Sequence, residues 1–346
     1  MSRALVISGG GCKGAFAIGV VKRLLIEYPN LNFDIFVGTS TGSLIVPLVA
    51  MKEMALLEKI YTTQKTENIV LQGRLGDRLG THSIFDATPL WNLLEKNYTD
   101  KRYDDLQATG KKIFLTTTCL QSGELVVFTN DAAPAKVRNY ELRSLVDASH
   151  FRKAVMASAC QPVFMPPIKV NKDLPGEPHA NWQYVDGGVR EYAGIQMAID
   201  NGATEIFTIL LSPDAKTVED KEYNDLFSLL QKTIDIFTDD VGKNDLIVPG
   251  QYNEALEYID AVKKKMKRGG LTTEAINEFF KIRGRENPYE DKLPIKFFTF
   301  RPNAPLGGGP GGLTFDPAEM KGMVKKGESS ANDFIAALNP ADITWA

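Results

Sequence analysis

The sequence is poor in the residues that disulfide-linked, metal-binding and membrane-spanning proteins require. Of its 346 residues only three are cysteines, too few for a disulfide framework, and no metal-ligand spacing links them. No apolar run approaches the ~18 residues that span a bilayer. The first residues lead directly into a strand and a glycine loop, without a cleavable leader. These absences predict a cytoplasmic protein with reduced thiols, no metal site and no membrane-spanning segment.

The charge balance points away from a nucleic-acid partner. The formal net charge is −3, so the chain has no global positive field to attract a polyanion. Apolar residues make up 43% and charged residues 24%, as in ordinary globular proteins. We see neither an internal repeat nor a linker and therefore expect one domain over residues 1–346. Its expected parts are core motifs at 5–212, a helical, charged insertion at about 219–292, and a closing strand and helix at 295–338.

The first half of the chain alternates short apolar runs with helix-length segments. This alternation is typical of a mostly parallel sheet covered by helices on both faces, so we expect a three-layer α/β/α fold. Runs 112–118 and 124–128 predict a hairpin. Asp316 before Pro317 predicts the N-cap of the last helix. The other predicted strands are 5–7, 33–37, 182–185, 205–211 and 295–300.

The sequence GTSTG at Gly38–Gly42 contains the first candidate catalytic residue, Ser40. It lies between the predicted strand 33–37 and an apolar, helix-length run at 44–51. A serine between two glycines on a strand-to-helix turn is the sequence form of a nucleophile elbow. Its hydroxyl would lie at a helix N-terminus, where partial positive charge favours a developing anion. Taken alone, the motif fits an ordinary glycine-bounded turn equally well.

A second glycine motif, Ser8–Gly14, follows the first predicted strand and opens the first helix. Its glycines at 9, 11 and 14 satisfy the dinucleotide-binding pattern, but that pattern needs an acidic residue at the end of the second strand. Asp34 has the right spacing and stands at the wrong end of that strand. Bare backbone N–H groups of consecutive glycines also suit an oxyanion hole. We favour the oxyanion hole and keep the dinucleotide site as the alternative.

A serine nucleophile needs a base, and the three histidines are poor candidates. His82 has no acidic residue at a spacing that would orient its ring. His150, at a predicted helix start, is expected at the surface, and His179 lies in a loop predicted to be exposed. Asp186, in the sequence YVDGG, ends a short predicted strand. Its carboxylate is therefore expected at the carboxyl edge of the sheet, where ligands bind in open α/β folds. A turn-forming Asp-Gly-Gly is the plain alternative.

Four blocks in this order resemble the patatin-like phospholipases, in particular bacterial-type patatin domains. The blocks are GGGCKG at 9–14, GTSTG at 38–42, ASACQP at 157–162 and DGG at 186–188. Each block is weak alone, and together they are specific. The stretch Thr314–Pro317 with its long final helix is also similar to the family's C-terminal end. The resemblance does not cover the segment 219–292.

The resemblance implies a Ser–Asp dyad in a lipid acyl hydrolase, a serine esterase of the phospholipase A type. Ser40 would attack the ester carbonyl and Asp186 would accept its proton, forming an acyl-enzyme. Backbone N–H groups of Gly10, Gly11 and Cys12 would stabilise the oxyanion, without a cofactor or a metal. The supporting motif residues are Gly9, Lys13, Gly14, Gly38, Gly42, Gly187 and Gly188.

Two further points stay open at the level of sequence. The apolar loop Val163–Pro167 fits an acyl groove or ordinary packing, and the basic run Lys263–Arg268 fits peripheral membrane contact or a solvated helix end. A catalytically idle scaffold with the same fold would also retain these motifs. The expected partner is a lipid or phospholipid, with no nucleic acid.

Overall fold

The computed structural model describes residues 2–73, 80–214, 220, 222–290, 292–339 and 345. The strands in this part of the chain are β1 (Arg3–Ile7), β2 (Ile35–Thr39), β3 (Leu71–Gln72), β4 (Phe85–Asp86), β5 (Lys112–Cys119), β6 (Leu125–Thr129), β7 (Glu141–Ser144), β8 (Tyr184–Asp186), β9 (Glu205–Ile209) and β10 (Lys296–Phe300). The α-helices are α1 (Gly14–Glu27), α2 (Thr41–Ala50), α3 (Met54–Thr63), α4 (Thr88–Asn97), α5 (Asp100–Ala108), α6 (Ala148–Ala159), α7 (Ile195–Asp200), α8 (Leu226–Arg268), α9 (Thr273–Phe279) and α10 (Pro317–Ala337).

The main sheet is mostly parallel, as predicted. Its order is β10-β9-β1-β2-β5-β6-β7, with β8 also paired to β5. The neighbours from β10 to β5 all run parallel, whereas β6 and β8 are antiparallel to β5. The predicted hairpin is the β5–β6 pair. This order sets β1 and β2 side by side, so the glycine motifs that follow them meet at one edge of the sheet.

Side-chain alternation along the strands builds a core on each face of the sheet. In β1, Leu5 and Ile7 pack in one cluster with side chains from α1, α2 and α6. Ala4 and Val6 pack in the other cluster, which includes residues of α7. Alternation is expected because successive strand residues point to opposite faces. The three-layer α/β/α prediction is confirmed.

The predicted N-cap of the last helix is confirmed, whereas three short strands were not predicted from the sequence. Asp316 caps α10 by accepting from the backbone N–H groups of Ala318 and Glu319, at 2.9 and 2.8 Å. Strand β7 and the small β3–β4 ribbon were not predicted, because their short polar sequences carry little periodic signal. The helical, charged segment contains α8, which is 43 residues long, and α9. Positions 219, 221 and 291 of that segment lie outside the described residues.

Candidate active site

The two candidate catalytic residues lie where the carboxyl ends of β2 and β8 approach each other. Both strands pair with β5, from opposite directions. Strand β2 ends at Thr39, which is paired with Thr116. The antiparallel strand β8 ends at Asp186, which is paired with the next β5 residue, Thr117. Ser40 directly follows Thr39, so the sheet brings the serine and the aspartate together although 146 positions separate them in the chain.

Ser40 lies on a tight, strained turn between β2 and α2. Its φ of 56° and ψ of −122° are rare for a non-glycine residue, and such strain is common at functional sites. The glycine at 42 is required because a Cβ there would lie 2.1 Å from the Ile7 carbonyl oxygen. At Gly38, a Cβ would lie 2.6 Å from the backbone of Gly42. The turn therefore packs closely against β1. Ser40, at the start of the turn, lines the cavity.

The sequence analysis gave no individual role to Ser158, and the structure places it directly behind the turn. Its Oγ accepts a hydrogen bond from the backbone N–H of Ser40 at 3.1 Å, and its side chain is fully buried on α6. The Ser40 carbonyl in turn accepts from the backbone N–H of Ser43 at 2.9 Å. These bonds hold the backbone of the turn from both sides. Only the small residues of the ASACQP block could have signalled a close contact here.

Asp186 is a buried carboxyl with a raised pKa. Its Oδ1 accepts from the backbone N–H of Gly188 at 2.7 Å, and its own N–H donates to the Cys160 carbonyl at 2.9 Å. Burial raises the pKa of Asp186 to about 6, while the neighbouring Ser40 side chain and the hydrogen bond from the Gly188 N–H favour the charged form of the carboxyl. The carboxyl is therefore mostly ionised at neutral pH and well matched to accepting a proton there.

The first glycine loop lies beside Ser40 on the cavity wall. Gly10 and Gly11 line the cavity, as does Lys13, whereas Cys12 is fully buried. Among the described residues we find no hydrogen-bond acceptor for the N–H groups of Gly10 and Gly11, while the N–H of Cys12 lies against its own thiol. The loop is covered by the glycine-rich segment 306–312, and burial raises the pKa of the Cys12 thiol to about 12. The thiol is therefore neutral, and the bare N–H groups are the polar feature of this loop.

None of the three histidines lines this cavity. His82 is exposed, and His179 stacks on Trp182 with ring centroids 3.8 Å apart. The prediction that His150 lies at the surface is wrong, because the residue is buried in α6. Its ring accepts from the Val146 N–H at 3.2 Å and bonds to Asn171 at 3.0 Å. Burial lowers the pKa of His150, and the residue does not line the cavity.

Ser40 and Asp186 open into a cavity of about 1040 Å³. One side of it, which we call the apolar chamber, is built from α2, α3, α4 and adjoining loops. The lining also includes residues of α8 and of the segment 305–315. Met165 of the predicted apolar loop lines the cavity, while Phe164 is buried in the core. The apolar chamber is lined by Leu44, Leu48, Leu57, Ile60, Tyr61, Ile69, Leu90, Leu93, Leu94, Tyr98 and Met165.

The part of the chain that the structure describes has neither a metal-binding cluster nor a membrane-spanning helix. No group of three or more histidine, cysteine or acidic side chains there is placed to hold a metal ion. No helix there is both long and apolar enough to cross a bilayer. The basic run Lys263–Arg268 closes α8, where Lys264 pairs with Asp260 at 2.7 Å, and it does not line the cavity.

The chain is similar in sequence to known patatin-like phospholipases. The family model described as patatin-like phospholipase matches residues 5–199. A cUMP-AMP-activated phospholipase from Escherichia coli is 38% identical over 64 residues, covering 17% of this chain and 20% of that protein. Patatin-like phospholipase domain-containing protein 6 from Homo sapiens is 25% identical over 266 residues, covering 75% of this chain and 17% of that protein.

The chain spans a fifth or less of the length of these curated relatives. Among solved structures, VipD from Legionella pneumophila aligns with 97% of this chain and 67% of its own. That alignment has 13% identity and a TM-score of 0.38.

Proposed function

The chain belongs to the patatin-like phospholipase family, and we propose that it is a serine hydrolase that cleaves fatty-acyl esters of lipids, phospholipids above all. One observation carries the proposal. Ser40 on its strained turn and the buried Asp186 both line a cavity that also contains the apolar chamber. A nucleophile, a base and an apolar receptacle are the parts that hydrolysis of a lipid ester needs.

The proposed reaction proceeds in two halves through an acyl-enzyme. Ser40 Oγ attacks the ester carbonyl while its proton passes to the Asp186 carboxylate. The oxyanion accepts hydrogen bonds from the N–H groups of residues 10–12, an interaction worth about 2.7–4 kcal/mol per donor in other enzymes. The intermediate then collapses, and Asp186 returns the proton to the departing alcohol. In the second half water attacks the acyl-enzyme while Asp186 accepts its proton, and Asp186 then returns the proton to Ser40 Oγ as the fatty acid leaves.

The apolar chamber supports a fatty-acyl substrate. Each methylene moved from water into such an environment contributes about 0.8 kcal/mol, so a long acyl chain binds far better than a short one. Leu57 and Leu94 are buried side chains that line the chamber. A substrate of this kind is met at a membrane surface or in a micelle, so we also propose that the protein acts peripherally on such surfaces.

The dinucleotide alternative has less support. Strand β2 ends at Thr39 and is followed by Ser40, without the acidic residue that would hold a ribose. A Cβ on Gly11 would lie 2.2 Å from the Gly312 carbonyl oxygen, so this carbonyl lies against one side of the glycine loop, where it would repel a pyrophosphate. A catalytically idle scaffold would be expected to have lost either the nucleophile or the base, and both are present.

The direct test is acyl release from defined lipids. Wild type, Ser40→Ala and Asp186→Asn would be incubated with dioleoylphosphatidylcholine, dioleoylglycerol and a soluble short-chain ester, and free fatty acid measured. Ser149→Ala, an exposed serine on α6, is the matched control. We expect hydrolysis by wild type and the control, and its loss in the two site variants. Undiminished hydrolysis by Ser40→Ala, or no hydrolysis of any ester by wild type, contradicts the proposal.

A further inference from the structure

A tyrosine ring lies between the first glycine loop and the long helix α8. Tyr192 lines the cavity that Ser40 also lines. A Cβ placed on Gly9 would lie 3.6 Å from Cε2 and 3.7 Å from Cδ2 of the Tyr192 ring. A Cβ placed on Gly242, in α8, would lie 2.8 Å from Cδ1 and 3.3 Å from Cγ of the same ring. Opposite edges of the ring therefore face the glycine loop and the backbone of α8.

Gly9 connects this ring to the proposed chemistry. The same Cβ on Gly9 would lie 3.2 Å from the Cβ of Ser40, so Gly9 is flanked by the nucleophile and by the tyrosine ring. It directly precedes Gly10 and Gly11, whose N–H groups are proposed oxyanion donors. Burial raises the pKa of Tyr192, so its phenol is neutral at neutral pH and offers no second base.

Carboxyl groups bind the backbone around Tyr192. Asp245, also on α8, accepts through Oδ2 from the N–H groups of Tyr192 and Ala193, at 2.5 and 3.0 Å. Glu191 accepts through Oε1 from the N–H of Gly194 at 2.8 Å. Burial raises the pKa of both carboxyls, and the charge of Asp245 raises that of Glu191 further. Because hydrogen bonds to a charged acceptor are the stronger ones, Asp245 ties this loop to α8.

Gly242 is required where the ring packs against α8. Glycine inside a helix is about 1 kcal/mol less favourable than alanine, so local helix stability does not account for it. A Cβ at 2.8 Å from Cδ1 is closer than two carbon atoms pack, and the ring is held on its other side by Gly9. At Gly250, in the same helix, a Cβ would have no atom of the described residues within 4 Å. The two glycines are therefore a matched pair, one against the ring and one without such a contact.

We propose that Tyr192 is a positioning residue for the first glycine loop, and that Gly242 and Asp245 of α8 hold it against that loop. The proposal rests on the proposed ester hydrolysis and adds a support for its oxyanion site. Helix α8 lies outside the residues 5–199 that match the family model, so the match does not cover this support. A small displacement of the oxyanion donors weakens binding of the transition state more than binding of the substrate.

The matched glycines of α8 provide the test. Gly242→Ala and Gly250→Ala would be compared with wild type on a soluble short-chain ester by steady-state kinetics. Both substitutions favour the helix, but only the first pushes on the Tyr192 ring. We expect Gly242→Ala to lower kcat roughly 10- to 100-fold at a nearly unchanged KM, with Tm as the folding check. Gly250→Ala should change neither constant.

A double-mutant cycle determines whether the effect passes through the ring. Tyr192→Leu removes the ring and should lower kcat to a similar extent. Since Gly242→Ala then has no ring to displace, adding it to Tyr192→Leu should lower kcat by less than about twofold further. Tyr192→Phe keeps the ring and should restore most of the kcat lost in Tyr192→Leu.

The role of Asp245 is tested with its own control. Asp245→Ala leaves the N–H groups of Tyr192 and Ala193 without their acceptor, so we expect it to lower kcat as Tyr192→Leu does. Asp240→Ala changes an exposed aspartate of the same helix and should leave kcat unchanged. Equal kcat in Asp245→Ala and wild type would contradict the role of this carboxylate.

Two inhibitors separate the oxyanion from the bound ground state. The carbonyl carbon of an alkyl trifluoromethyl ketone bonds to Ser40 Oγ, the serine proton passes to Asp186, and the carbonyl oxygen becomes an oxyanion. Its inhibition constant should rise in Gly242→Ala by about the factor by which kcat/KM falls. The corresponding alkyl ether has no carbonyl group, so its inhibition constant should stay unchanged.

Wild-type kcat in Gly242→Ala, or a loss that appears only in KM, overturns the proposal. Additive losses in the double variant, or equal weakening of both inhibitors, also overturn it, because the substitution would then act without the ring or on the whole fold. Failure of the proposed function is distinguishable from these results, since wild type would then show no ester hydrolysis that depends on Ser40.

Discussion

We expect Asp186→Asn to stabilise the protein at neutral pH although it removes the proposed base. The Asp186 carboxyl is buried, and desolvation raises its pKa from 3.8 to about 6. A carboxyl with a higher pKa in the folded protein than in the unfolded chain makes folding less favourable as pH rises through that interval. At 1.36 kcal/mol per pKa unit, ionisation of Asp186 lowers the free energy of unfolding at pH 7.5 by up to roughly 3 kcal/mol. Asparagine carries no charge at any pH, and its Oδ1 can still accept from Gly188.

The stabilisation should therefore depend on pH in a defined direction. The variant's advantage is greatest above pH 6 and shrinks as the pH falls from about 6 towards 3.8, because the wild-type carboxyl is protonated in both states only below that lower value. The difference in free energy of unfolding between the variant and wild type is measured by urea unfolding, monitored by circular dichroism at pH 7.5, 6 and 5. Asp104→Asn, at an exposed position, is the control and should change stability by less than about 0.5 kcal/mol. An Asp186→Asn protein that is no more stable at pH 7.5, or whose advantage is the same at every pH, refutes the reasoning.

Three other predictions concern activity. We expect kcat/KM on a soluble ester to fall about tenfold per pH unit below about 6, where Asp186 is protonated, and a flat profile through that range contradicts its role as base. Ser158→Ala leaves the Ser40 N–H without its acceptor and should lower kcat roughly 5- to 100-fold at unchanged KM, measured by steady-state kinetics with Tm as the folding check. Leu57→Phe, which fills part of the apolar chamber, should shift preference towards shorter acyl chains in a competition between octanoyl and oleoyl esters. An unchanged chain-length ratio would place the acyl chain elsewhere.

The parts of the fold and site that sequence could predict are those encoded by local patterns. Alternating strand and helix segments indicated the parallel sheet, and Ser40 between Gly38 and Gly42 indicated the turn. Both depend on neighbouring residues in the chain, so their signals are strong. The position of Asp186 at the end of a strand was also visible, because a glycine pair follows it.

The remaining parts depend on contacts between distant segments. Nothing local indicates that β8 runs antiparallel to β5 and ends against β2, which is what brings Asp186 to Ser40. His150 has a polar side chain at a helix start, a pattern typical of the surface, yet its two ring hydrogen bonds allow it to be buried.

The most direct test of the central claim, that Ser40 is a nucleophile activated by Asp186, is covalent labelling with a fluorophosphonate probe. Wild type, Ser40→Ala and Asp186→Asn would be treated at pH 7.5, and the labelled peptide identified by mass spectrometry. We predict a modified peptide containing Ser40 in wild type, none in Ser40→Ala, and much slower labelling in Asp186→Asn. Labelling that persists in Ser40→Ala, or that is as fast in Asp186→Asn as in wild type, would contradict the account.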